Sequence, residues 1–235
     1  MVNLKNFLER SYTKAVKLNN EIIYSMLNLN PRETLIDLGC NSGELTMLYG
    51  KAAKCNQIYG VDVNEDAIAL ASSKGVLTHV FDLNEYFNLP DESFQIVCAN
   101  QVIEHLWNSD NFLSEIYRIL APGGYAIIST ENASSWCNIF ASIMGWQIFS
   151  LTNFSSLQAG IGNPLALHKN SEMVADSWNH VRIYNYYGLI QYIELSGFSI
   201  NQIEGCGYFP FPTLWGSFDK IHAHFLTIKI SKLSR

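Results

Sequence analysis

Apolar positions along the chain follow two periods that take turns. Residues 34–38 (TLIDL), 57–62 (QIYGVD), 77–81 (LTHVF), 94–99 (FQIVCA) and 125–130 (YAIIST) are short β-rich runs, several of them apolar nearly throughout. A parallel strand covered on both faces needs that composition. Between the last two runs, SDNFLSEIYRIL carries Phe112, Leu113, Ile116, Tyr117 and Leu120 at helical spacing, and APGG then breaks the chain. Alternation of this kind predicts an α/β fold with a doubly wound, mostly parallel sheet and helices on both faces.

The two ends read differently. Residues 11–28 place Ala15, Val16, Ile22, Ile23, Met26 and Leu27 on one helical face, with Pro31 closing the segment. Near the C-terminus, NYYGLIQYIELSGF predicts a helix ending at Gly197. Two strand-like runs follow, FSINQIEG and HFLTIKI, with Pro210 and Pro212 between them and no regular crossover helix, so the pair is expected to be antiparallel. From Ala133 to Leu167 there is no Asp, Glu, Lys or Arg. The first part of that segment sets Trp136, Ile139, Phe140, Ile143 and Met144 at i, i+3, i+4, i+7 and i+8, and its position predicts an insertion over the edge of the sheet.

Composition adds bounds. At 235 residues, 48% hydrophobic and 15% charged, the chain suits one sizeable core. A net charge of -6 without a basic stripe disfavours a nucleic-acid partner and favours a small acceptor. Five widely spaced cysteines without a C-x-x-C pair argue against a disulfide framework or zinc knuckle and for a reducing compartment. The N-terminal residues lack a signal-like apolar core and no window has about 18 uninterrupted apolar residues, so a cytoplasmic protein is expected.

The chemistry is concentrated at residues 34–45, TLIDLGCNSGEL, an apolar run, an acid and glycines at 39 and 43. In an open α/β sheet the turn after the first strand approaches the ligand most closely. A dinucleotide site wants G-x-G-x-x-G, yet here the second glycine is missing and Glu44 stands where it would repel a pyrophosphate. The P-loop lysine is absent too. Phosphate ligands and a nicotinamide-dependent oxidoreductase are therefore disfavoured.

Taken with the strand ends downstream, the turn resembles the first motif of the class I S-adenosylmethionine-dependent methyltransferases, acid-x-Gly-x-Gly-x-Gly, matched here by Asp37, Gly39, Asn41 and Gly43. Asn41 replaces the middle glycine and is a residue tolerant of positive φ. Asp62 closes the second strand about 20 residues on, where a carboxylate can accept from ribose hydroxyls. The resemblance continues through Asp82, matching an acid set against the adenine amino group, with Val63 and Leu83 flanking the ring. FQIVCANQVIEHL looks like the family's fourth-strand motif and LAPGGYAIIST like its fifth, which covers roughly residues 34 to 130. It implies a Rossmann-like sheet of seven strands, the last antiparallel, and S-adenosyl-L-methionine as cofactor with S-adenosyl-L-homocysteine as product. It also implies a cofactor site of Asp37, Gly39, Cys40, Gly43, Asp62, Val63, Asp82, Leu83, Asn100 and Gln101. Cys40 lines the turn as a small packing residue rather than a reactive thiol.

Residues 1–235 then read as a single methyltransferase domain: a helical cap (1–30), a cofactor-binding core (31–132), an insertion or lid (133–180), and a C-terminal helix and strand pair (181–235). The expected reaction is methyl transfer to a small-molecule or lipid-linked acceptor, chiefly at oxygen. The alternatives are a non-catalytic binding protein of the same fold and a tRNA methyltransferase. Methyl transfer from a sulfonium needs mainly alignment, and a base adds about 10²- to 10⁴-fold for a hydroxyl acceptor. His105, beyond the fourth strand, and His180, before the C-terminal helix, are the candidates for that base. The resemblance leaves His79, His168, His222 and His224 without motif context, hence structural.

Tyr12, Trp136 and Tyr184 are candidates for the acceptor side, Tyr12 closing over the cofactor and Trp136 within the lid. An amphipathic membrane helix normally carries Lys and Arg on its polar face, so the uncharged insertion suits a lid, a packing or dimer surface, or at most a peripheral membrane contact. Ubiquinone-type O-methyltransferases and small-RNA methyltransferases, which the fourth motif resembles, place a second glutamate three residues before the one in Glu104–His105, and that set can hold a divalent ion. Here the position is Gln101, a poor ligand for a hard cation, so no metal is expected.

Overall fold

A computed structural model of the chain describes residues 2–27, 34–169 and 176–232. Seven strands form one sheet: β1 (Thr34–Leu38), β2 (Gln57–Asp62), β3 (Leu77–Val80), β4 (Phe94–Asn100), β5 (Leu120–Glu131), β6 (Phe198–Cys206) and β7 (Phe225–Lys232). Their order is β3-β2-β1-β4-β5-β7-β6. Strands β1 to β5 pair in parallel, whereas β7 runs antiparallel between β5 and β6. The C-terminal pair is thus antiparallel, as its sequence predicts.

The apolar runs are covered on both faces, and period 2 sorts their side chains. Ile36, Leu38, Val97 and Ala99 turn to one side, where they meet Phe112, Leu113 and Ile116 of α4 (Ser109–Ile119) and Leu189 and Ile193 of α6 (Tyr186–Leu195). Leu35, Ile96 and Cys98 turn to the other, against Ile23 and Met26 of α1 (Val2–Met26) and Tyr49 of α2 (Glu44–Ala53). A third helix, α3 (Glu65–Ser73), starts at Asn64, whose side chain caps it by accepting from the Ala67 N–H at 3.0 Å.

Three expectations need correction. The first helix begins at Val2, not near residue 11, and Pro31, expected to end it, lies outside the described residues. The fifth strand begins at Leu120, so the APGG segment belongs to β5 instead of only preceding it. The uncharged insertion, which starts with α5 (Trp136–Ile143), leaves from β5 inside the sheet and lies over the carboxyl ends of the strands rather than over an edge. Much of it stays exposed, Phe140, Ile143 and Leu157 included, so a lack of charge does not mean burial.

Candidate active site

The strand order reverses between β1 and β4, and the turns after these two strands flank the crevice that such a reversal opens. After β1 the backbone N–H groups of Gly39 and Cys40 both donate to Val61 O, at 2.8 and 2.9 Å, and the Asn41 N–H donates to Asp62 Oδ2 at 2.9 Å. The turn is thereby stitched to the end of β2. Gly39, Asn41 and Gly43 all have positive φ (81°, 45° and 76°). A Cβ on Gly39 would stand 2.6 Å from Val102 Cγ2, so glycine leaves room for the turn to approach the loop after β4. Gly43 caps α2 in the left-handed region.

Asp37 is buried, accepts from Thr46 Oγ1 at 2.6 Å, and has its pKa raised to about 7, mainly by burial, with Thr46 opposing and Asp62 adding to the rise. It stabilises the turn from beneath. The second Asp62 oxygen, Oδ1, accepts from the Asn64 N–H at 3.0 Å. Asp82 Oδ1 accepts from Asn84 N and Nδ2, at 2.9 and 2.8 Å, an Asx turn that fixes the carboxylate. Asn100 accepts from Asn19 at 3.0 Å and donates towards Asn20 and Tyr49, which ties the end of β4 to α1. Gln101, at φ 57°, turns its amide to Ser129 Oγ at 3.2 Å.

Asp37, Gly39, Asn41, Asp62, Asp82, Asn100 and Gln101 line one cavity of about 1440 Å³, together with Val63, Leu83 and Cys40, whereas Gly43 shapes the turn without lining it. Helix α1 covers one side with Tyr12, Val16 and Asn19, and the insertion covers another with Phe149, Thr152 and Phe154. His105 and His180 both line the cavity and pack edge to face, ring centroids 4.6 Å apart. Both N–H groups of residues 181 and 182 donate to Glu104 O, at 2.8 and 3.3 Å, which draws the segment before α6 onto the loop after β4. Arg182 holds it there through Ser109 Oγ at 2.9 Å and Trp107 O at 2.6 Å. His105 Nδ1 contacts Asn179 O at 3.1 Å and His180 Nδ1 contacts Ser150 O at 2.6 Å. Because a carbonyl only accepts, each Nδ1 carries a proton.

Burial, then the neighbouring His180, lowers the His105 pKa to about 4, with the Asn179 carbonyl and Glu131 opposing. His105 is therefore neutral at neutral pH. Glu104 is fully buried; Thr130 Oγ1 donates to its Oε2 at 2.8 Å, and its Oε1 has no partner among the described residues. Burial raises its pKa to about 8 against the hydrogen bonds it receives. Glu104, His105 and His180 each offer a donor atom within 4.8 Å of the others, close enough for one cation. Gln101, which has turned to Ser129, adds no carboxylate to them.

Not every candidate arrives. Trp136 does not line the cavity: its Nε1 donates to Tyr208 Oη at 2.8 Å and its ring stacks on His222 at 4.5 Å, on the outer side of α5. Tyr184 is also outside the lining and stacks on Tyr192 at 5.8 Å. Conversely, the sequence leaves out Glu131, Cys137, Phe149 and Asn19, and treats His168 and His224 as structural, although all six line the cavity. No local motif marks them, since β7, α1 and the insertion bring them in from far along the chain.

Comparison with known proteins agrees with this geometry. Residues 36–128 match a family model described as a methyltransferase domain. Over 115 residues the chain is 31% identical to a probable S-adenosylmethionine-dependent methyltransferase of Mycolicibacterium smegmatis, covering 48% of this chain and 44% of that protein. Over 190 residues it is 26% identical to the mitochondrial ubiquinone biosynthesis O-methyltransferase of Rattus norvegicus, covering 77% and 48% respectively. The chain thus spans about half the length of these relatives. A solved S-adenosylmethionine-dependent methyltransferase from Mesorhizobium loti shares the fold, with a TM-score of 0.60 at 18% identity over 89% of this chain and 95% of that one. The fold is that of the Rossmann-like methyltransferases, and within it residues 36–128 match the methyltransferase domain model.

Proposed function

We propose that the chain binds S-adenosyl-L-methionine in the β1/β4 crevice and transfers its methyl group to a small or lipid-linked acceptor, at oxygen. The observation that carries this is the pairing of the Gly39–Gly43 turn with Asp62. The turn is too close to Val102 to admit a side chain at Gly39, and the Asp62 carboxylate is fixed at the end of β2 and reaches the cavity. Asp62 suits ribose hydroxyls, Asp82 an exocyclic amino group, and Val63 and Leu83 the faces of a purine. When bound, the sulfonium supplies an electrophilic methyl carbon with a neutral thioether as leaving group.

The chain's own part is alignment, exclusion of water and removal of one proton. Tyr12 and Val16 on α1 and Phe149 and Phe154 on the insertion enclose the crevice from opposite sides. His105 and His180 offer their ring nitrogens to a hydroxyl acceptor. An imidazole with a pKa near 4 has little driving force as a base, so His105 orients the acceptor. Oxygen as the acceptor atom is supported by this pair of imidazoles on the cavity wall and by the resemblance to an O-methyltransferase.

Turnover without added metal is part of this reading, because Gln101 supplies no carboxylate and burial favours the protonated Glu104. Release of labelled methyl groups into an extract of small metabolites and lipids, with and without chelator, tests both points. Transfer that persists in EDTA is expected. Transfer abolished by EDTA and restored by Mg²⁺ would instead make Glu104, His105 and His180 ligands, and no transfer to any fraction would favour a binding protein without catalysis.

A further inference from the structure

Cys137, His224 and Glu131 meet on the cavity wall beyond the carboxyl end of β5. Cys137 Sγ lies 3.4 Å from His224 Nδ1, and His224 Nε2 faces Glu131 Oε1 at 3.8 Å. His224 is 4% exposed and Glu131 7%, whereas Cys137 is half-buried, and all three line the cavity. The methyl-transfer reading uses none of them.

Strand pairing builds this arrangement. Antiparallel register sets Glu131 opposite Phe225, so His224 falls beside the end of β5, and the Asn132 N–H fastens it by donating to His224 O at 2.8 Å. The rings of Tyr12, Phe209 and Phe225 surround the imidazole at 5.9, 5.3 and 4.6 Å. Cys137 is the second residue of α5, whose N-cap, Ser135, makes no capping bond through its side chain. Instead Ser135 Oγ lies 3.3 Å from Cys137 Sγ. The sulfur thus lies at the N-terminus of α5 and against the imidazole.

The imidazole is placed to hold a proton. Burial works against its charge, but Cys137 and Glu131 beside it push its pKa up to about 9. Its Nε2 has no hydrogen-bond partner among the described residues, because Glu131 stands too far for one, so the carboxylate acts through charge. Other thiols are placed differently: burial pushes Cys40 and Cys206 up to about 12 and holds Cys98 well above its ordinary value.

We propose that Cys137 is a modification site, whose sulfur, 3.4 Å from His224 Nδ1, adds to conjugated carbonyl electrophiles entering the cavity. Sulfur forms a C–S bond to the β carbon of the alkene, and the π pair moves to the α carbon and carbonyl as an enolate. The His224 Nδ1 proton then neutralises that enolate, and the thiol proton takes its place on the ring. No leaving group, oxidant or reductant is needed, and the soft, polarisable sulfur suits the soft carbon. The adduct occupies the wall shared by α5 and β7, away from the Gly39–Gly43 turn.

N-ethylmaleimide, a conjugated imide, tests this on the intact protein. It would be added below stoichiometry at mildly acid pH, with N-acetylcysteine in the same tube, and the adducts counted by peptide mass spectrometry. Held against the imidazole, Cys137 is expected to react at least about tenfold faster than N-acetylcysteine. His224→Gln should remove the excess rate. Should that variant fail to fold, the wild-type comparison decides alone: a Cys137 rate at or below that of N-acetylcysteine would overturn the proposal. Labelling does not require methyl transfer, so its outcome is independent of the reading above.

Discussion

Asn41 shows how one residue can satisfy two demands. It adopts φ 45° where its motif usually has glycine, and its N–H is the donor that fixes Asp62. Asparagine enters the left-handed region at little cost, whereas a β-branched residue there loses about 1–2 kcal/mol. Asn41→Val should therefore lower stability by about that much and weaken cofactor binding, while Asn41→Gly should leave both nearly unchanged; denaturant titration and calorimetry read the two effects. Beneath the turn, Thr46→Val leaves a buried Asp37 oxygen without its donor, at a cost of about 1–3 kcal/mol. Asp37 also predicts a pH dependence. Its folded pKa stands above the ordinary 3.8, so its contribution to stability is complete below that value and is lost as pH rises through about 7. Thermal melting of Asp37→Asn should lose that part of the decline. Gly39, Asp62 and Asp82 were legible in the sequence because each sits at the end of its own strand, and local spacing is enough to find them.

Helix α1 and the insertion form two walls of the cavity, and they are held by different means. Asn19, only 2% exposed, donates to Asn100 Oδ1 at 3.0 Å and accepts from Ser129 Oγ at 3.0 Å and Thr227 Oγ1 at 2.7 Å. One side chain thus fastens α1 to β4, β5 and β7. Asn19→Leu should cost about 1–3 kcal/mol for the partners it leaves unpaired, and should weaken cofactor binding more than a surface change on the same helix. Urea denaturation alongside calorimetry separates the two effects. The insertion is pinned by Asn138, whose amide joins Asn132 O and Ser150 Oγ at 3.0 and 2.8 Å, while Ser150 O receives the His180 ring. None of this was legible in the sequence. Periodicity showed an apolar stripe on α5, and Trp136 was its largest member, yet the stripe does not say which side faces the crevice. Phe149→Ala, not Trp136→Ala, is the substitution expected to raise the acceptor KM, since Phe149 lines the cavity and Trp136 does not.

At the scale of the whole molecule, the sheet order sets what is possible. Strand reversal opens the crevice between β1 and β4, and the antiparallel β7 brings His224 beside Glu131 although the two are 93 positions apart in sequence. Alternating strands and helices made the fold class readable, and the two C-terminal runs showed their direction. The acceptor side was not readable because it is assembled from α1, the insertion, the segment before α6 and β7, each distant in sequence. No helix among the described residues is long and apolar enough to cross a membrane. Every part of this account depends on the crevice taking S-adenosyl-L-methionine. Calorimetric titration of the protein with that cofactor and with S-adenosyl-L-homocysteine, with NADH as control and Asp62→Ala as the paired variant, measures this directly. The account predicts saturable binding of both adenosyl compounds, none of NADH, and a loss in the variant of on the order of tenfold or more, as expected for hydrogen bonds to a charged group. A folded wild-type protein that binds neither compound, or binds them as well after Asp62→Ala, would contradict it.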